Sequence, residues 1–171
     1  MRCSYCNIEM EKRRATEAQP YFFRLSGLDD LDLVGIDVYT CPKSHAEVPI
    51  IPRVGQLHSA VADGLIRQPR MLKGSEIRFL RKHAGLPARE FAKLVGVSAE
   101  HLSRIENGHT ESLGKPTDRL VRALTLTAKD GREARTTLLS IADGLKKGTK
   151  HGKREHASYA LRGQGWQRQS A

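Results

Sequence analysis

The chain has 171 residues, of which 39 % are hydrophobic and only 5 % aromatic, and a formal net charge of +10. That length predicts one or two small domains with mainly aliphatic cores, and no stretch is apolar over the span needed to cross a bilayer. The opening Met1-Arg2-Cys3-Ser4-Tyr5-Cys6 lacks the apolar run of a signal peptide, so a soluble, cytoplasmic protein is expected.

The charge is unevenly placed. Residues 1–70 carry nine Lys and Arg against nine Asp and Glu, residues 71–130 carry eleven against seven, and residues 131–171 carry nine against three. The second and third parts therefore suit a phosphate-facing surface, and the first is neutral.

Residues 1–51 read as a small β-rich module resembling a zinc ribbon. Three cysteines in an intracellular chain point to metal binding rather than disulfides. Cys3 and Cys6 form a C-x2-C pair, and Cys41 opens Cys41-Pro42-Lys43-Ser44-His45. A fourth thiolate is expected at position 44, where serine is a poor ligand because its hydroxyl stays protonated. His45 offers an imidazole beside it, giving a candidate Cys3-Cys6-Cys41-His45 zinc site, with His58 or water as alternative fourth ligands. Strands are predicted over 20–25 and 35–40, separated by the turn chemistry of Ser26-Gly27-Leu28-Asp29-Asp30.

Val48-Pro49-Ile50-Ile51-Pro52 reads as an extended module boundary. Over the connector, residues 52–70, Val54, Leu57, Val61 and Leu65 recur at helical spacing, and Pro69 limits the end of that helix.

Residues 71–130 carry the strongest pattern. A helix over 75–84 buries Ile77, Leu80 and Ala84 and stops at Gly85. A second helix turns Phe91, Ala92 and Val95 inward and ends at Gly96, which suits a left-handed turn. Ser98 then caps a third helix anchored by Leu102 and Ile105 and ended by Gly108. Two short helices joined in this way make a helix-turn-helix, whose second member can enter a major groove. A fourth helix with Leu120, Val121, Leu124 and Ala128 on its core face follows. A fifth is predicted from about 132, within 131–145. The predicted fold class is mainly α, a five-helix domain preceded by the β-rich module. Residues 146–171 are basic, glycine-containing and poor in apolar residues, and are read as a disordered tail, either a non-specific DNA arm or a solubilising segment.

Glu76-Ile77-Arg78-Phe79-Leu80-Arg81-Lys82, Phe91-Ala92, Leu94-Val95-Gly96-Val97-Ser98 and Ser103-Arg104-Ile105-Glu106-Asn107-Gly108 resemble the Cro/C1 (XRE) helix-turn-helix family. With Cys3-x2-Cys6, Tyr21, Ser26-Gly27-Leu28-Asp29, Cys41-Pro42 and Ile51-Pro52 ahead of them, residues 1–128 are similar to MqsA-type antitoxins with their YgiT-type zinc finger. Two positions depart from that pattern. Ser44-His45 stands where the family usually has Cys-Gly, and Pro87-Ala88 where relatives often have Ser/Thr-Gln.

The resemblance implies a sequence-specific transcriptional regulator, a repressor of antitoxin-like type, acting on a double-stranded DNA operator as a homodimer. Its DNA-binding set is Ser98, Ala99, Glu100, His101, Ser103 and Arg104, with Arg89 on a phosphate. Arg104 suits a guanine edge or phosphate, Glu100 a cytosine amino group and Ala99 a thymine methyl. An alternative is an antitoxin whose main role is neutralising a partner toxin through residues 1–51. A thiol enzyme built on Cys3 and Cys6 is a third reading. It finds no partner base and no cofactor loop in the sequence, so no catalytic residues are assigned.

Overall fold

The computed structural model describes residues 1–110, 113–127 and 157–169. These divide into two compact units. The first contains Met1–Leu25, Asp30–Ala60 and residues 157–169, and the second contains Ser26–Asp29 and residues 61–110 and 113–127.

The first unit is built of two sheets. Strands β1 (Glu11–Arg14), β4 (Asp37–Thr40) and β5 (Glu47–Ile50) form an antiparallel sheet in the order β1-β4-β5. Strands β2 (Tyr21–Phe22), β3 (Leu31–Val34), β6 (Ala157–Arg162) and β7 (Gly165–Arg168) form the other, in the order β2-β3-β6-β7. Here β6 lies parallel to β3, with Leu33 opposite Tyr159, and turns back through Gly163 into β7. Leu31, Leu33, Val34, Tyr159, Ala160 and Trp166 are all buried. The hairpin is fastened by the Trp166 Nε1–H, which donates to the Pro52 carbonyl at 3.1 Å, and by Arg53, which donates to the Gln164 carbonyl.

Several expectations change here. The fold is mixed α/β rather than mainly α. The predicted strand at 20–25 is cut to two residues by a 3-10 turn over Arg24–Ser26, whereas β1, β3 and β5 were not predicted. Residues 157–169 are an ordered hairpin, not a disordered tail, because β3, with Leu31, Leu33 and Val34 buried, offers an open edge to pair with them. The predicted helix within 131–145, and residues 146–156, lie outside the described residues.

The five helices of the described residues are α1 (Val54–Arg67), α2 (Gly74–His83), α3 (Ala88–Val95), α4 (Ala99–Glu106) and α5 (Lys115–Thr127). In α1 the buried face is Leu57, Val61, Ala62 and Ile66, rotated from the predicted one, and Val54 is exposed. Ile77, Leu80, Phe91, Leu102, Ile105 and Val121 close the core of the helical unit, each at most 1 % exposed. Leu120, predicted to face that core, is 38 % exposed, and Arg122 is fully buried in its stead.

A carboxylate and three backbone carbonyls explain how a guanidinium can sit there. Asp118, one helical turn earlier, pairs with its Nε at 2.7 Å and also accepts the Leu72 N–H at 2.7 Å. The remaining donors take the Ile66 carbonyl at 2.7 Å, the Gln68 carbonyl at 2.8 Å and the Arg70 carbonyl at 2.5 Å. The Ile66 carbonyl is one that the end of α1 leaves without an internal partner, and the other two lie in the connection that follows, so Arg122 ties the end of α1 to the entry of α2.

Candidate nucleic-acid interface and metal centre

The turn between α3 and α4 follows from two residues. Gly96 takes φ 74°, a left-handed conformation open to glycine, and the Val97 N–H returns to the Ala92 carbonyl at 2.9 Å, closing α3. Ser98 then starts α4 by accepting the His101 backbone N–H at 3.1 Å. Phe91, Ala92 and Val95 face the core from α3, as do Leu102 and Ile105 from α4.

With those positions inward, Ala99, Glu100, His101, Ser103 and Arg104 are left exposed along α4, and Arg89 is exposed on the first turn of α3. Ser98 is exposed too, but its hydroxyl is engaged by the cap. The Glu100 carboxyl is held below its ordinary pKa by its own backbone N–H and by the Ser98 hydroxyl, so it stays an anion folded against the helix start.

Four residues that the sequence reading did not single out position α4. Arg81 of α2 donates from Nε and Nη2 to the two Glu106 carboxylate oxygens at 2.7 and 2.9 Å, and from Nη1 to the Leu86 carbonyl at 3.1 Å. Arg78, one turn earlier, donates to Asn107 Oδ1 and lies 3.6 Å from Glu106. Asn107 Nδ2 donates back to the Ser103 carbonyl at 2.8 Å and to its hydroxyl at 3.3 Å. The signal was the i, i+3 spacing of Arg78 and Arg81, which puts both on one side of α2.

In the first unit, Cys3, Cys6, Cys41 and His45 come together, with all their ligand atoms within 4.8 Å of one another. His58 is not in this group. Cys3 and Cys41 are buried and pack with Met10, Cys6, Tyr39, Ala46 and Val48, while His45 is exposed and meets Tyr5 edge-on at 6.3 Å.

Two turns of matching design carry these ligands. Each is closed by the N–H of its first cysteine on the carbonyl five residues later, Cys3 to Ile8 and Cys41 to Ala46, both at 2.9 Å. Each also contains one non-glycine residue in the left-handed region, Asn7 at φ 58° and Ser44 at φ 56°. Asn7 stands four residues after Cys3, and Ser44 three after Cys41. The second turn therefore makes its left-handed step one residue sooner, and His45, the fourth member of the cluster, follows directly after it.

Three thiols and an imidazole are a donor set that could hold a metal ion. Cys6 and Cys41 sulfurs lie 3.6 Å apart. That is far beyond a disulfide and close to the edge of about 3.8 Å of a tetrahedron with metal–sulfur bonds of about 2.3 Å. Backbone N–H groups point at the sulfurs as well. Those of Tyr5 and Cys6 lower the Cys3 pKa. Burial pushes Cys41 up, but the N–H groups of His45 and Lys43 and the neighbouring cysteines outweigh it and leave Cys41 lowered. The Ile8 N–H pulls Cys6 down, and burial with the two other cysteines outweighs it and raises that thiol.

No curated protein and no solved structure matches the chain. Residues 77–124, from Ile77 in α2 to Leu124 in α5, match the family model "Helix-turn-helix", so the chain carries a helix-turn-helix DNA-binding domain of the Cro/C1 type, as expected of a transcription regulator.

Proposed function

We propose that the protein is a sequence-specific transcription repressor that binds a palindromic operator as a homodimer. The observation that carries this reading is the exposed polar face of α4, set opposite the fully buried Leu102 and Ile105 and capped by Ser98. Ala99, Glu100, His101, Ser103 and Arg104 line the groove on this reading, with Arg89 on a phosphate. One such helix reads few base pairs, which is the reason for two copies on a palindrome.

Selection of bound duplexes from a random pool, followed by footprinting, tests the claim. Arg104→Ala is expected to lose about 1–3 kcal/mol at one position of the selected site. Arg89→Ala is expected to weaken all sequences alike. Sedimentation of a monomer both free and on DNA would remove the homodimer.

The metal is proposed to be zinc, held by Cys3, Cys6, Cys41 and His45. Bound there it would fix the two turns to one another, and purification without chelator should yield zinc with the chain. His45→Ala should lower that content, and no zinc above background in the unaltered protein would defeat the assignment. The clustered ligands and the resemblance to MqsA-type antitoxins favour a second role for the N-terminal module, the neutralisation of a partner toxin. Co-purification with the product of an adjacent small reading frame tests it.

A further inference from the structure

An 8-residue α4 is about 12 Å long, which equals the width of a major groove at about 12 Å. When its N-terminal half enters the groove, its C-terminal end at Glu106 and Asn107 stands against the phosphate wall. A cavity of about 500 Å³ opens at that end. Arg78 and Lys73 bring positive charge to its lining, Arg70 being paired with both Glu76 oxygens, and Ser75, Asn107 and Thr110 bring polar groups. Glu106 also lines it, but both its carboxylate oxygens are taken up by Arg81.

The guanidinium of Arg78 carries five N–H donors. Its contacts with Asn107 and Glu106 leave donors for a further acceptor, and its side chain is 34 % exposed.

The same cavity contains an acid contributed by a distant part of the chain. Ser26–Asp29 belongs to the helical unit although the residues on either side of it in sequence belong to the other. Leu28 of this segment is buried, and Asp29 accepts the Ser75 hydroxyl at 3.3 Å in the cavity wall.

We propose that this cavity seats a backbone phosphate of the bound duplex, countered by Arg78 and Lys73, and that Asp29 competes with the phosphate for the seat. The inference rests on the DNA-binding reading above and adds to it a clip that sets affinity. A carboxylate and a phosphodiester make the same demand on the Ser75 hydroxyl, and both cannot sit in one cavity at close range without repelling. Bound duplex therefore displaces Asp29 from Ser75, and any change that frees the Ser26–Asp29 clip strengthens binding.

The test is titration of a mixed-sequence duplex at several salt concentrations. Lys73→Gln and Arg78→Gln should each shallow the slope of log K against log salt by about 0.9, the loss of one phosphate contact. Asp29→Asn, nearly isosteric and so safe for the fold, should tighten binding several-fold at low salt. That gain should vanish in the Lys73→Gln/Arg78→Gln background.

Unchanged slopes in both cation variants, with Arg104→Ala still weakening the selected site, overturn the seat and leave the DNA-binding reading standing. An equal gain from Asp29→Asn in both backgrounds shows a general charge effect and overturns the competition. Saturable binding of inorganic phosphate alone, with duplex slopes unchanged, assigns the cavity to a free anion instead. An unaltered protein that binds no duplex at all removes the function and the seat together.

Discussion

Arg81 and Glu106 lock the end of α4 to α2 through two parallel hydrogen bonds of 2.7 and 2.9 Å, and both residues are buried. Glu106 in turn holds the Arg81 pKa above its ordinary value, so the guanidinium is charged whenever the domain is folded. Glu106→Ala would leave that charge buried without its partner, at a cost of about 3–5 kcal/mol in urea unfolding. Replacing both residues by methionine and leucine should recover most of this loss, because the pair offsets little beyond its own desolvation. A single-variant loss no larger than that of an exposed ion pair would show that the pair is dispensable.

Gly74 opens α2 where it crosses the end of α4. A Cβ at this position would lie 1.8 Å from the Ile105 carbonyl oxygen, an atom of backbone that cannot rotate away. Gly74→Ala should therefore destabilise the helical unit by about 3 kcal/mol, at the upper end of overpacking costs, and shift α4 as it does so. Gly85 separates the two causes, since an added methyl there would meet nothing within 4 Å while φ is 70°. Gly85→Ala should cost about 1 kcal/mol from backbone strain alone. Thermal melts that rank the two variants the other way would contradict this account.

Removal of residues 157–169 should open the first unit and spare the second. It would strip β3 of its parallel partner and expose Leu31 and Leu33, now 1 % and 0 % exposed. Hydrogen exchange should show the amides of Leu31–Val34 losing protection while those of α2 to α5 keep theirs. Undiminished protection of β3 would mean the hairpin adds nothing to it.

On the other sheet, Lys12 meets Asp37 at 2.9 Å and Arg14 meets it at 3.2 Å. The Lys12 ammonium, ahead of Arg14, holds the Asp37 carboxyl below its ordinary value. A depressed carboxylate contributes stability above its unfolded pKa of about 4, and that stability drains away as pH falls through the lower folded value. Asp37→Asn should thus flatten the acid limb of the stability curve below about pH 4 and reduce stability at neutral pH. An acid limb unchanged by the substitution would assign it to other carboxyls.

The helix-turn-helix was legible because each of its local signals agrees with its packing. Gly96 turns, Ser98 caps, and Leu102 and Ile105 repeat at the spacing of one buried face. The clustering of Cys3, Cys6, Cys41 and His45 in the first unit was legible from the cysteine spacing and from an imidazole standing beside Ser44. Strand β1 was not, since Glu11-Lys12-Arg13-Arg14 has the composition of a solvated loop. Its four residues pair with β4 and find Asp37 and Glu47 as counter-charges, information carried by other segments. The hairpin failed for a related reason, as the short run Tyr159-Ala160-Leu161 has no partner in view until β3 is placed beside it. Arg122 is a third case. Hydrophobic periodicity assigns a charged residue to the surface, and it takes the Asp118 carboxylate together with the carbonyls at and beyond the end of α1 to make its burial tolerable.

The parallel pairing of β3 with β6 also sets an order of events at the ribosome. Residues 31–34 leave the exit tunnel long before residue 157 has been translated. During that interval the cysteine turns, β1, β4 and β5 have all emerged, as have the helices through α5, whose contacts are closer in sequence. The helical unit can therefore fold and meet DNA while the second sheet still lacks half its strands. Completion of the second sheet waits for residues 157–168, so a chain translated only as far as residue 156 carries the same α4 and an unpartnered edge of β3.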